Sequence, residues 1–286
     1  YFETGYDFDK VLEHEKRQVF VVNQLDDEAA KALVYNNFGY DLTIAGTMHL
    51  DTIIEYSNFA NSYYAKAENH NGRWYTLMNL TWQYRLKNNF KLSEYYGRLA
   101  VQQAHKEKNR HAMVEANTNL GETLSEKGDI MEARIFYENA LNQSTKEDDR
   151  DKYVFDVYYS KYLWLIKAHE EAIWRLEKAV DFLKTGEVFY EMLGRAYLAD
   201  FYFQNAEYEK AEEQISIIKN PRSDYFSFET KVLAALTEIQ LLRIKNETEK
   251  AEEIRLEFLN QASIMCLFGP CSDMMPVFRN FLDNLI

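Results

Sequence analysis

The sequence predicts an all-α fold of stacked helix pairs, and three observations carry that prediction. First, Gly and Pro are scarce, 10 and 3 in 286 residues, and the prolines (Pro221, Pro270 and Pro276) leave the first 220 positions without one. A β-rich or doubly wound chain needs more of both for its tight turns. Second, hydrophobic residues make up 47% of the chain and aromatic ones 15%, enough for a large, bulky core. Third, small residues recur at a fixed interval: Ser93, Ala133, Ala172, Ala211 and Ala251 are spaced 40, 39, 39 and 40 apart. Such a period is the signature of a repeat array.

The elements follow in chain order. Phe8 to Val22 reads as the second helix of a pair whose first helix is absent. The array is therefore expected to be cut at its start, with more protein upstream. A unit beginning near Val34 comes next, with its second helix from about Leu50 through Ala60 to Lys66. The unit of Trp74 carries Leu77, Leu80, Tyr84, Ser93 and Ala100, with Asn88-Asn89 as its turn. The clearest unit places Leu120-Gly121 and Leu124 on a first helix, Gly128-Asp129 at the turn, and Ala133, Tyr137 and Ala140 on a second. Two helices cross closely where small residues sit, and large residues fill the space around that contact. Gly121 and Ala133 are the expected close-approach points. Tyr153 begins another unit (Tyr159, Leu163, Ala172, Leu176, Ala179) and Met192 another (Leu198, Ala199, Tyr202, Ala211, Ile215). Val232 begins a degenerate one with Leu242, Ala251 and Phe258. After the Gly269-Pro270 break, Asp273 to Ile286 reads as a final helix. The organisation expected is one array over 1–286: a partial repeat in 1–33, repeats in 34–262, and a capping helix in 263–286.

The pattern Leu120-Gly121, Leu124, Ala133, Tyr137 resembles the tetratricopeptide repeat (TPR), with Asn117 standing where that family has Trp and Thr145 where it has Pro. The resemblance implies a right-handed superhelix of about six helix pairs plus terminal helices. The period of 39–40 residues is longer than the usual 34. It resembles the long-period arrays of MalT-like activators and of PlcR- and Rap-type peptide-sensing regulators of bacteria.

The net charge is −13, from 46 acidic and 33 basic residues, which disfavours direct contact with nucleic acid or anionic membranes. No apolar run reaches the ~18 residues of a membrane span, and no signal-peptide pattern is present. Cys266 and Cys271 are read as two reduced thiols in a helix-end turn, with a local disulfide as the alternative; low cysteine usage suits a reducing, cytoplasmic setting. The sequons at Asn79, Asn142 and Asn246 are read as chance matches. Phosphate loops, HExxH and GxSxG are all missing. The six histidines (His14, His49, His70, His105, His111, His169) are scattered, and each reads as a solvated surface residue. The expectation is no enzyme, no metal and no cofactor.

The resemblance implies that first helices line an inner groove, and it supplies the candidate positions. In the Trp74 unit these include Asn79, Trp82 and Arg85, and in the next unit Asn119 and Glu122. The Tyr153 unit offers Tyr158, Lys161 and Trp164, and the Met192 unit Tyr197 and Asp200. Asn79 and Asn119 occupy the same place in adjacent units. An amide can donate to one peptide C=O and accept from one N–H, so it can hold an extended backbone; the alternative is a bond between neighbouring helices. Trp82, Trp164, Tyr158 and Tyr197 would form apolar pockets, or else pack between units. Arg85 and Lys161 could hold a ligand carboxylate. The leading expectation is a regulatory sensing module that binds a peptide or protein segment. A small-molecule sensor stacking its ligand on Trp82 or Trp164, or a homodimerising scaffold, are the alternatives.

Overall fold

A computed structural model describes residues 8–45, 49–67, 72–144, 150–220 and 227–267. Among them it contains thirteen α-helices: α1 (Phe8–Val22), α2 (Glu28–Ala45), α3 (Leu50–Lys66), α4 (Arg73–Leu86), α5 (Phe90–Glu107), α6 (Arg110–Lys127), α7 (Ile130–Gln143), α8 (Arg150–Leu165), α9 (His169–Leu183), α10 (Val188–Gln204), α11 (Tyr208–Lys219), α12 (Phe228–Ile244) and α13 (Thr248–Leu267). The chain is all-α, as predicted. Two compact units divide between Phe155 and Asp156, inside α8. The expected unit near Val34 starts earlier, at Glu28, where Asp27 Oδ1 accepts the Ala30 N–H at 2.9 Å and caps the helix. The expected capping helix over Asp273–Ile286 and both cysteine side chains lie outside the residues whose details are described.

The period is written in the backbone as well as in the side chains. Asn88, Gly128, Lys167, Ala206 and Asn246 all have positive φ, between 53° and 97° for the whole set of such residues. They are spaced 40, 39, 39 and 40 apart. Each follows the first helix of a pair. The next residue's N–H then reaches back across the helix end: Asn89 to Tyr84 O, Asp129 to Leu124 O, Ala168 to Leu163 O, Glu207 to Tyr202 O and Glu247 to Leu242 O, all at 2.8–2.9 Å. This is the Schellman closure, which satisfies carbonyls the helix leaves open and turns the chain sharply into its partner helix. Gly128 takes the left-handed conformation without a steric penalty. Lys167 and Ala206 adopt it at a cost of about 1 kcal/mol each, which the surrounding packing offsets.

Packing follows the repeat logic. Ala133, Ala172 and Ala211 are fully buried, as is Ser93. A Cβ on Gly121 would meet three atoms of the Tyr137 ring at 3.1 Å, so Gly121 is where α6 lies against α7. In the unit before Asp156, α2 packs on α4 and α4 on α6, while the second helices α3 and α5 lean on the next first helix. In the unit after it, α10 packs on α12, with α9 and α11 placed likewise. Within each unit the first helices therefore form a layer of their own. No described helix is long and apolar enough to cross a membrane.

Candidate functional site

The first-helix layer of the earlier unit is joined by polar side chains one repeat apart. Asn36 Oδ1 on α2 accepts from Thr76 Oγ1 at 2.7 Å and from Asn79 Nδ2 at 3.1 Å on α4. Thr43 Oγ1 accepts from Gln83 Nε2 at 3.0 Å. Arg85 Nη1 lies 2.7 Å from Glu122 Oε2 on α6, with Glu126 Oε1 at 3.8 Å. All are buried except Glu126. Buried polar groups need partners, and here neighbouring first helices supply most of them, Gln83 Oε1 being left without one.

This places the sequence-derived candidates. Asn79 is 3% exposed and holds α2 against α4, so its position matches the interhelical alternative. The charge of Arg85 is met within the chain by Glu122 and Glu126. Trp82 is half-buried with its ring 6.2 Å from that of Tyr40, which in turn lies 5.8 Å from Tyr75. Asn119 is different. It is half-buried, and its Oδ1 is shielded from solvent without a hydrogen-bond partner.

In the later unit the candidates form an aromatic group on α8 and α10. Trp164 stacks on Phe201 at 4.2 Å with planes 2° apart, and on His169 at 4.1 Å and 18°. Two rings that close cannot share one face of the indole, so Trp164 is sandwiched. Its Nε1 donates to Gln204 Oε1 at 2.9 Å. Tyr197 is buried, donates its hydroxyl to Glu229 Oε1 at 2.9 Å, and carries Lys161 Nζ 5.3 Å above its ring. Tyr158 meets Tyr190 edge to face at 6.3 Å. Asp200 accepts from Gln204 Nε2 at 2.7 Å, and burial raises its carboxyl above the usual range.

Two features lay beyond the sequence reading. His111 is half-buried, not a solvated surface group. Its Nδ1 lies 2.8 Å from Asp151 Oδ1, its Nε2 lies 3.5 Å from Glu115, and its ring meets Trp74 edge-on at 5.7 Å. The reason is the period: Asp151 comes 40 residues later and is carried to the same place on the next first helix. The bond to Asp151 raises the His111 pKa above 6.5, and that of Asp151 falls below 3.8. A raised histidine stabilises the fold below its unfolded pKa, and the gain is lost as pH rises through the folded value. The His111 ring titration followed by NMR should therefore have its midpoint above 6.5 and move down in Asp151→Asn.

The second feature is a pair of carboxylates on α1 and α2. Glu15 is 8% exposed, and its Oε2 has no hydrogen-bond partner. Asp41, half-buried, is pushed up to about 7, first by burial and then by the charge of Glu15. Burial likewise raises Glu15. Burial first, and then the charge of Glu115, raises the Tyr75 phenol; Asp41 adds a smaller push, and the bond to Tyr40 opposes it. Among the described residues no three His, Cys, Asp or Glu side chains group as a metal site. No protein-family model matches the chain, and no curated protein matches it.

Proposed function

We propose that the chain is a non-catalytic, TPR-type interaction module. It binds a peptide or protein segment along the first-helix layer and serves as the regulatory part of a larger bacterial signalling or transcription-regulatory protein. The observation that carries this reading is Asn119, whose amide oxygen is desolvated and unpartnered on that layer. An unmet buried acceptor costs about 1–3 kcal/mol. A ligand's backbone N–H would supply the missing donor, and the amide group can answer with a bond to the adjacent peptide C=O. The half-buried rings of Tyr75 and Trp82 on the neighbouring α4 offer contact area for the segment's side chains. The small-molecule alternative, with a ligand stacked on a tryptophan, has less support. At Trp164 both faces of the indole are already covered.

The two asparagines separate binding from folding. Peptides are selected from a random library on the wild-type chain and titrated against Asn119→Ala and Asn79→Ala. Asn119→Ala is expected to weaken binding by about tenfold or more, on the scale of 1.4 kcal/mol, with stability little changed. Asn79→Ala should lower stability by about 0.5–1.5 kcal/mol through the lost hydrogen bond between α4 and α2, Asn36 keeping Thr76 as its donor, with affinity nearly intact. Unchanged affinity in Asn119→Ala would remove the basis of this reading. Stabilisation by metabolites but by no peptide, in a thermal-shift screen, would favour the small-molecule alternative.

A further inference from the structure

We infer that His111, on the first turn of α6, is a proton-controlled latch: it holds the first turn of α8 while its ring is charged and loosens that turn when the ring becomes neutral. This device belongs to the fold and does not depend on what the first-helix layer binds.

The first ground is that both ring nitrogens face carboxylates. Nδ1 lies 2.8 Å from Asp151 Oδ1 on α8, and Nε2 lies 3.5 Å from Glu115 Oε1, one turn further along α6. Trp74 on α4 packs against the ring at 5.7 Å with the planes 86° apart. Only a charged imidazole donates from both nitrogens. A neutral ring keeps one N–H, so in either tautomer one of the two carboxylates faces a lone pair. Asp151 is 7% exposed, and a buried carboxylate that loses a donor is costly. If the remaining proton goes to Nδ1 instead, Glu115 loses its donor and the charge of the bridge is gone. Both outcomes weaken the tie between α6 and α8.

The second ground is that the groups around the bridge keep one charge state near neutral pH. Arg110 Nη2 lies 3.4 Å from Asp151 Oδ2, and Arg150 Nη1 lies 3.8 Å from Asp151 and 3.9 Å from Glu115. Guanidinium groups stay charged throughout this range, so these contacts do not change with pH. Arg110 Nη1 also donates to Gln143 O, at the end of α7, at 2.8 Å. From α4, the Tyr75 phenol is raised by burial and stays protonated. From α5, Ala100 and Ala104 pack with Ala112 and Ala116 of α6. The bond to Asp151 favours the charged ring most, Glu115 adds to it, and burial and Arg150 oppose it. A histidine raised in this way holds the fold below its unfolded pKa, and the hold is lost as pH rises through the folded value. The loosening stays local, because Phe155, further along α8, packs edge to face on Tyr137 at 6.4 Å.

Hydrogen exchange reads the latch at the Val154 and Phe155 amides, whose helical acceptors are the carbonyls of Arg150 and Asp151. Asp41, in the same compact unit, titrates at about 7, so every chain tested carries Asp41→Asn. Protection is corrected for the intrinsic rise of exchange with pH and expressed relative to the amide of Leu80, buried on α4. From pH 6 to pH 8.5 the relative protection of both amides should fall at least about threefold in the parent chain. His111→Gln can still donate to Asp151 but cannot be charged, so its relative protection should stay nearly constant over the same interval. Glu115→Gln removes a charge that helps the ring keep its proton, so the loss should remain and its midpoint should move to lower pH. In the parent chain and in Glu115→Gln that midpoint should match the His111 ring titration followed by NMR to within about half a pH unit. Equal protection at the two pH values, an equal fall in His111→Gln, or a midpoint that does not follow the ring titration would each overturn the latch. The Glu115→Gln comparison decides the matter alone if His111→Gln does not fold.

Discussion

Arg85→Met is expected to lower the stability of the Asp7–Phe155 unit by about 3–5 kcal/mol, the range for breaking a buried ion pair from one side. Arg85 is 7% exposed and Glu122 is 4% exposed, with 2.7 Å between them. Removing the guanidinium leaves the Glu122 carboxylate in a low-dielectric contact between α4 and α6. Methionine fills much of the space, so lost packing contributes little and the stranded charge dominates. Glu126 does not share that fate, because it is a third exposed and stays hydrated. The control is Arg85→Met/Glu122→Leu. Replacing both members of such a pair by apolar groups is often close to neutral, so the double variant should return to within about 1–2 kcal/mol of wild type. Denaturant unfolding followed by tryptophan fluorescence reads the change, since Trp74 and Trp82 both lie on α4. Hydrogen exchange at α4 and α6 amides localises it, because repeat arrays open unit by unit rather than all at once. A single-variant loss below 1 kcal/mol would mean that water already solvates the pair.

The same pair shows what the sequence could and could not convey. Arg85 looked available because a cation on an acidic chain has no visible partner in its own repeat. Its partner is 37 positions away, on the next first helix. Asn36–Thr76 and Thr43–Gln83 are likewise one repeat apart, as are Trp164–Gln204 and His111–Asp151. Such pairings become readable only once both members are put in one register, and α2 lacked consensus residues to fix its own. Tyr40 and Asp41 were overlooked for that reason. The scaffold was easier to read. Ser93, Ala133, Ala172 and Ala211 are fully buried where paired helices meet, so small side chains recur there and their spacing is easy to read. The left-handed turn residues sit between these cases: Gly128 and the asparagines 88 and 246 advertise the conformation, whereas Lys167 and Ala206 do not. Trp164 was read as a platform because the ring that covers its second face, His169, belongs to the following helix.

The carboxylate pair gives the largest expected dependence on pH. Asp41 titrates at about 7 in the folded chain and near 3.9 when unfolded. Between those values the folded state binds more protons than the unfolded one, so stability falls as pH rises from about 4 to about 7. One pH unit of difference is worth 1.36 kcal/mol, which sets a ceiling of about 4 kcal/mol. Asp41 keeps part of its surface in water, so screening should bring the observed change to about 1–3 kcal/mol. Two groups are coupled to it: Glu15 on α1 shares its direction, and Tyr75 on α4 stays protonated throughout. Asp41→Asn should therefore be more stable than wild type at pH 8, equal to it near pH 4, and nearly flat between. Glu15→Gln should give a smaller version of the same curve, because the Asp41 shift comes mostly from burial and only secondarily from Glu15. Urea unfolding at pH 4, 6 and 8 measures all three chains. A wild-type curve that rises over this interval, with Asp41→Asn parallel to it, would show that Asp41 is ionised at little cost.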